Sequence, residues 1–355
     1  MTKNEICFVV KADPFISTTG TARWMNEISK EVESKVFYFK PLGITHNNHI
    51  GKSELYPFDT IKIKNYYLPV ITTSSLKSFI SLFSCRKIYF VDVPFLPIFL
   101  PIYFILKICR KRMIFGLHGF LQREESLSAK IFKNILKREV VHVLNPYDME
   151  LLMKQGIKNI YLIPNFIHRR TEKIKNNTEK FIALFVGRLE YQKGIDLLVD
   201  IISNSPKEIE FHIIGEGDGE GLIKEKLGDY ENVKFLGRVD DDTLKEEYEK
   251  ASVFLFPSRF ETFGIVLLEA QEHGLPVIAF DIPTNKYIIS DTSQGYLVKP
   301  FDTLQFVNAL IILYKFWKES PEEFYNMKLQ IKKKIEERFS KDKILNDLIL
   351  LFQDP

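Results

Sequence analysis

Cysteine is scarce in this chain: Cys7, Cys85 and Cys109 are the only three among 355 residues. So few thiols, so widely scattered, argue against a disulfide framework or a zinc site and fit a reducing compartment. Long apolar runs are missing as well. The longest uncharged stretch, Val93 to Leu106, is 14 residues and is interrupted by Pro94, Pro97 and Pro101, whereas a spanning helix needs about 20 apolar residues. Residues 1–20 lack the basic-then-apolar order of a secretory leader and read as a strand, Ile6 to Val10, entering a polar loop. Low-complexity tracts and short-period repeats are absent, and the seven histidines show no metal-ligand spacing. What remains is ordinary: 45% hydrophobic and 27% charged residues exclude disorder, collagen and coiled coil. The length suits two domains, each with its own core.

The formal charge of +3 conceals an asymmetry. Residues 1–178 hold 27 Lys/Arg against 14 Asp/Glu, and residues 179–355 hold 22 against 32. The first half is basic and the second acidic. Short apolar runs alternate with helical patterns almost without a break. In the first half the strands fall at 6–10, 35–39, 87–93, 112–117, 140–144 and 159–163. In the second they fall at 181–187, 210–215, 233–237, 252–257 and 276–280. Continuous apolar strands between amphipathic helices indicate parallel sheets covered on both faces. The fold class is therefore α/β, with two doubly wound Rossmann-like domains. The polar segment 168–180 is the natural linker, dividing residues 1–167 from 181–355. After Pro300 only helical patterns follow, and the last of those helices is free to pack back on the first domain.

Ligands of open parallel sheets bind beyond the carboxyl ends of the strands, at helix N-termini. Two junctions therefore hold the chemistry. In FLFPSRFETFGIVLLEAQEHG (254–274) a strand ends at Pro257, a loop carries Ser258, Arg259 and Glu261, and Gly264 opens a helix. Backbone N–H groups over 262–265 suit a phosphate. Glu269 is placed either to reach a ribose hydroxyl pair or simply to face solvent. In GRLEYQKG (187–194) Arg188 and Lys193 bracket a helix start, as a diphosphate would require, although surface Lys and Arg are more often merely solvated. GEGDGEG (215–221) fails the dinucleotide fingerprint because Glu220 stands where the third glycine belongs, so it reads as a turn. Asp240, Asp241 and Asp242 match an Asp-x-Asp metal expression but precede a helix, where acids cap.

Taken with FLG at 235–237 and the ordered PS-x2-ETFG-x4-EA-x3-G-x-PV-x-A over 257–279, these junctions resemble the retaining glycosyltransferases of family 4. The likeness is dense over roughly 180–300. Before that it rests on the Gly20 loop, LHG at 117–119 and IPN at 163–165. The resemblance implies a GT-B fold, whose two domains face each other across a cleft. The second would hold a nucleotide diphosphate sugar donor and the first, mainly, the acceptor. By the same resemblance Arg188 and Lys193 bind the donor diphosphate, Glu261 contacts the donor sugar, and the backbone of Phe263, Gly264, Ile265 and Val266 meets sugar and phosphate. Glu269 matches the ribose ligand, Leu236 and Gly237 lie near the base, and Gly187 and Gly215 belong to the donor loops. His118 matches a histidine at the sugar site, and Gly20 a glycine near the phosphates and acceptor. Catalytic roles fall to Glu261, His118, Arg188 and Lys193, with no metal and no other cofactor. The chain departs from the family pattern at Phe166 to His168, at Asp281 to Ile288, and at Asn145, where serine is more typical.

The implied function is hexosyl transfer to a hydroxyl acceptor, a lipid-linked or cell-surface glycan. A sugar-nucleotide epimerase of the same fold and an inactive donor-binding subunit are the alternatives. An anionic membrane surface is an expected partner and nucleic acid is not. Lys107, Arg110, Lys111 and Arg112 follow the aromatic run Phe95–Leu106, and Lys130, Lys133, Lys137 and Arg138 share much of one helical face. These place the chain in the cytoplasm, peripheral on the membrane face.

Overall fold

A computed structural model describes residues 6–10, 20–43, 49–63, 66–70, 72–92, 96–118, 127–167, 174–175 and 179–353. The chain divides into two units, Met1–Asn165 with Asp342–Pro355, and Phe166–Lys341. The second expected domain, 181–355, therefore yields its last helix to the first unit. Most of the expected linker 168–180 lies outside the described residues.

The first unit is built on a parallel core of β1 (Ile6–Val10), β2 (Lys35–Pro41), β6 (Lys87–Val91), β7 (Arg112–Leu117), β8 (Val140–Val143) and β9 (Ile160–Leu162). Its edge holds β3 (His49–Ile50), β4 (Ser53–Ile63) and β5 (Tyr66–Pro69), in the order β3-β4-β2-β1-β6-β7-β8-β9 with β5 beside β4. None of the three edge strands was expected. β4 carries Pro57 and mixes polar with apolar residues, so it lacks the continuous apolar signature of the buried strands.

The helices α2 (Thr73–Ser84), α3 (Leu96–Ile108), α4 (Leu127–Leu136) and α5 (Pro146–Lys154) bury Leu82, Phe99, Tyr103, Leu106, Phe132, Leu136 and Leu152 against Val9, Phe90, Phe115 and Val141. Phe99 meets Phe90 and Phe115 edge-on at 5.2 and 5.8 Å, a favoured aromatic geometry. The opposite face packs α1 (Gly20–Glu31) and the returning α13 (Lys341–Gln353). There Phe352 lies 5.5 Å from Phe8 and 5.6 Å from Tyr89, and Lys87 Nζ donates to the Phe352 carbonyl at 2.6 Å. Cys7 of β1 and Cys85 after α2 form a disulfide, their Cα atoms 6.0 Å apart. This single bridge runs against the reading of a reducing compartment, although it makes no disulfide framework. Two cysteines separated by 78 residues offer no spacing signal; the parallel pairing of β1 with β6, which sets Cys7 opposite Ile88, brings Cys85 beside it. Cys109 is free and exposed.

The second unit has six parallel strands, β10 (Ile182–Val186), β11 (Glu210–Ile214), β12 (Val233–Gly237), β13 (Val253–Phe256), β14 (Val277–Phe280) and β15 (Gly295–Val298). Their order is β12-β11-β10-β13-β14-β15. Numbered from β10 this is 3-2-1-4-5-6, so the direction of winding reverses between β10 and β13, where such sheets open a crevice for ligands. Around it run α6 (Ile195–Ser203), α7 (Glu220–Leu227), α8 (Asp241–Lys250), α9 (Ile265–Glu272), α10 (Pro283–Ile288), α11 (Thr303–Glu319) and α12 (Pro321–Phe339). The four-residue β15 was not expected. The helical stretch after Pro300 was, and comprises α11, α12 and α13.

Candidate active site

Both donor junctions lie at the carboxyl ends of β10 and β13, on either side of the winding reversal. After β10 the backbone passes through Gly187, whose N–H donates to the Ile214 carbonyl at 3.0 Å, while Gly215 N–H donates to Gly237 O at 2.8 Å. Three glycines thus stand side by side at the ends of β10, β11 and β12. Gly215 has φ +138°, and a Cβ there would lie 1.8 Å from the Gly187 carbonyl oxygen. The GEGDGEG stretch is accordingly a turn laid on the chain at 187–189, with Leu189 N–H reaching Glu216 O at 2.9 Å. Gly237 turns with φ +62° beside half-buried Leu236.

The following turn, Tyr191–Lys193, ends at Gly194 with φ +70°. A Cβ on Gly194 would sit 2.0 Å from the carbonyl oxygen of Pro257, so two junctions distant in sequence meet there backbone to backbone. Gly194→Ala is expected to combine this clash with left-handed strain and lower stability by about 1–3 kcal/mol, measured by urea unfolding. Arg259 completes the tie. Its guanidinium takes Asp196 in two hydrogen bonds of 2.7 and 2.6 Å, donates to Tyr191 O at 2.8 Å and stacks 3.8 Å from the Tyr191 ring. That guanidinium also holds the Asp196 carboxyl below the ordinary carboxylate range. This bracing role was not read from the sequence, because an arginine in a loop gives no sign of which carboxylate it will clamp.

The braced loop sets Lys193 against Glu261. Lys193 Nζ donates to Glu261 Oε1 at 2.5 Å, and the two side chains are 14% and 6% exposed. Lys193 Nζ also sits 5.5 Å from the Phe256 ring centre. Arg188 does not join this pair. It is exposed and bonds Glu190 at 2.6 Å. Phe263 is buried against Tyr287 and Phe339, which fixes the backbone that enters α9. Gly264, at φ +87°, is the N-cap of α9 and has no side chain with which to cap it, and the N–H groups of Ile265 and Val266 begin the helix. The positive end of the helix dipole is directed there.

Glu269 is buried rather than solvent-facing. Tyr248 Oη donates to its Oε2 at 3.2 Å, and a small recess beside it is lined by Leu244, Lys245, Tyr248 and His273. Asp240 is the N-cap of α8, its Oδ1 accepting from Thr243 N–H at 2.8 Å. Among the described residues no group of three or more His, Cys, Asp and Glu is arranged to hold a metal ion. Asn145 serves as the N-cap of α5, its Oδ1 accepting from Asp148 N–H at 2.8 Å, the task a serine would perform.

His118 and Gly20 belong to the first unit. Gly20 opens α1, and residues 11–19 before it lie outside the described residues. His118 follows β7 and is buried. Its backbone N–H donates to Asp92 Oδ1 at 3.1 Å, its ring lies 4.8 Å edge-on from Trp24, and its Nε2 is 3.3 Å from Tyr89 Oη.

Residues 167–329 match the family described as glycosyl transferases group 1. Among curated proteins, an uncharacterized glycosyltransferase of Methanocaldococcus jannaschii is 36% identical over 196 residues, covering 51% of this chain and 49% of that one. The phosphatidyl-myo-inositol mannosyltransferase of Mycobacterium leprae is 34% identical over 138 residues, 38% of this chain and 37% of that one. The amylovoran biosynthesis glycosyltransferase AmsD of Erwinia amylovora is 33% identical over 179 residues, 48% and 50% of the two chains. The chain spans about half the length of the curated relatives it matches or less. Among solved structures, Anabaena Alr3699/HepE in complex with UDP and glucose superposes with a TM-score of 0.77 at 16% identity, covering 99% of this chain and 100% of that one. TarM gives 0.75 at 15%, covering 98% of each. The fold is GT-B.

Proposed function

We propose that this chain, whose residues 167–329 match glycosyl transferases group 1, moves a hexose from a nucleotide diphosphate sugar to a hydroxyl acceptor with retention of configuration. The observation that supports this most is the pairing of half-buried Lys193 with buried Glu261 beside the glycine N-cap of α9. A diphosphate seated on the N–H groups of Ile265 and Val266 brings negative charge next to Lys193, and exposed Arg188 turns from Glu190 to add to it. Glu261 then lies where the sugar follows the phosphate. In the step proposed, the bond between the anomeric carbon and the phosphate oxygen breaks, and the acceptor oxygen bonds that carbon from the same face. The acceptor proton passes to the departing phosphate. Charge on the leaving group is met by Lys193, Arg188 and the helix dipole, so no metal is required. Glu269 takes the ribose hydroxyls, and Leu236 and Gly237 flank the base.

The test is transfer from UDP, GDP and ADP sugars to lipid-linked acceptors in excess EDTA. Undiminished transfer is the expected result. Activity lost in EDTA and restored by Mg²⁺ or Mn²⁺ would refute metal independence, and an isomerised sugar released with donor alone would identify an epimerase instead.

A lipid-linked acceptor fits the outer surface of the first unit. Among the described residues no helix is long and apolar enough to cross a membrane. On one side of the first sheet, however, Ile80 of α2 and Phe104 and Ile108 of α3 are 64%, 58% and 81% exposed. Lys77, Lys107 and Arg110 are exposed near them in sequence, as are Lys130 on α4 and Lys137 just after it. Exposed apolar side chains among cations suit the headgroup layer of an anionic leaflet, where each basic residue contributes about 1 kcal/mol. We read the protein as peripheral on a membrane face. It is expected to co-sediment with anionic liposomes at low salt and to release at high salt. Changing Lys130, Lys133 and Lys137 together to Glu should abolish sedimentation, and equal binding to neutral vesicles in high salt would reject the electrostatic docking.

A further inference from the structure

Tyr89, His118 and His142 form one connected group inside the first unit, and two of its members have no part in the reading above. Tyr89 stands on β6 opposite Phe8 and Ile114, and His142 on β8 opposite Gly116. The strand β7 runs between them. The Tyr89 hydroxyl crosses it because residue 116 has no side chain: a Cβ on Gly116 would lie 2.1 Å from Tyr89 Oη. Gly116 does not need its backbone freedom here, since it is absent from the positive-φ glycines. What the position requires is space. Across that gap Tyr89 Oη bonds His142 Nδ1, and on its other side it lies 3.3 Å from His118 Nε2. His142 Nε2 in turn is 2.6 Å from the Ile163 carbonyl oxygen.

The direction of every proton in this chain follows from its far end. A carbonyl oxygen only accepts, so His142 carries its proton on Nε2 and donates to Ile163. Burial holds the His142 and His118 pKa values down to about 3, so each ring is neutral and has a single N–H. His142 Nδ1 must then accept, and Tyr89 O–H donates to it. The Tyr89 oxygen is left to accept from His118 Nε2–H. His118 Nδ1 therefore bears a lone pair.

We propose that Tyr89 and His142 are positioning residues that fix His118 as its Nε2-protonated tautomer, so that its Nδ1 accepts a hydrogen bond from a hydroxyl of the bound sugar. The functional half of this inference rests on the reading of His118 as a sugar-site residue. His118 would act as an acceptor that selects a hydroxyl donor. It would not act as a proton donor to the leaving group. The peptide N–H bond to Asp92, itself at φ +52°, and the contact with Trp24 fix where the ring stands, while Tyr89 decides which nitrogen is bare.

The test is long-range ¹H–¹⁵N NMR of the histidine rings in the full chain at neutral pH, alongside steady-state kinetics. Wild-type protein should show both His118 and His142 as neutral Nε2–H tautomers. Tyr89→Phe removes the acceptor for His118 and should give it a mixture of tautomers, with kcat reduced about tenfold and the donor KM changed less. His142→Asn keeps an acceptor for the Tyr89 hydroxyl and should preserve the His118 tautomer, whereas His142→Leu should lose it. That contrast survives if Tyr89→Phe does not fold. An Nδ1–H tautomer of His118 in the wild type, or one unchanged by both Tyr89→Phe and His142→Leu, would overturn the proposal. The site reading fails separately: full transfer activity in His118→Ala would remove His118 from the sugar site whatever its tautomer.

Discussion

Glu261→Gln is expected to lower turnover by about 10²-fold or more while leaving nucleotide affinity within a few-fold, the signature of a group whose interaction is made at the reacting sugar. Gln keeps the shape and one acceptor oxygen of Glu261 and removes only its charge. The same change touches the fold. Glu261 is buried, Lys193 is half-buried and the two meet at 2.5 Å; breaking a fully buried pair by removing one charge costs about 3–5 kcal/mol, and this partly buried one costs less. The thermal midpoint should therefore fall as well, and rates belong at a temperature where the variant is fully folded. Turnover close to wild type under those conditions would take Glu261 out of the chemistry and leave it the role of an acid that only orients the loop after β13.

Lys193→Ala is expected to fall further. The ammonium group is proposed to meet charge that grows on the departing diphosphate, and one such preorganised donor is worth about 3–4 kcal/mol. At 1.36 kcal/mol per tenfold that is roughly 10²–10³-fold in kcat. Unlike Glu261→Gln it should also weaken nucleoside diphosphate binding, because the free ligand carries the same phosphates. The two substitutions share one ion pair, so the double variant should be less impaired than the product of the single effects. Arg188→Ala should act in the same direction as Lys193→Ala. Measured kcat and nucleotide affinity for the three variants decide among these outcomes, and near-wild-type values in Lys193→Ala would end the diphosphate assignment.

The readable parts of the molecule were those where one physical signal dominates. Buried parallel strands such as IALFV at 182–186 are continuously apolar, and their alternation with amphipathic helices implied two doubly wound sheets. The donor loops were readable because glycine and charge occur there in fixed spacing, and Gly194, Gly215 and Gly264 do adopt positive φ. The edge of the first sheet was not. β4 mixes polar with apolar residues, β5 is only four residues long, and edge strands carry no two-sided apolar run. The helix α3 was hidden by Pro97 and Pro101, although Pro97 falls in its first turn, where a missing N–H costs nothing. The Cys7–Cys85 bridge, the Arg259–Asp196 clamp and the Tyr89–His142 contact each join residues far apart in the chain. Such pairs become visible only when the topology has put their strands and helices side by side.

Thermal unfolding with and without nucleoside diphosphate sugars tests the donor site most directly. A ligand that binds only the folded chain at a concentration of 100 Kd adds about 2.7 kcal/mol. One of the UDP, GDP or ADP sugars should raise the midpoint saturably in the wild type, and Lys193→Ala should blunt that rise at the same concentration. No shift with any of these donors, or an equal shift in wild type and Lys193→Ala, would contradict a nucleotide diphosphate sugar held at the ends of β10 and β13.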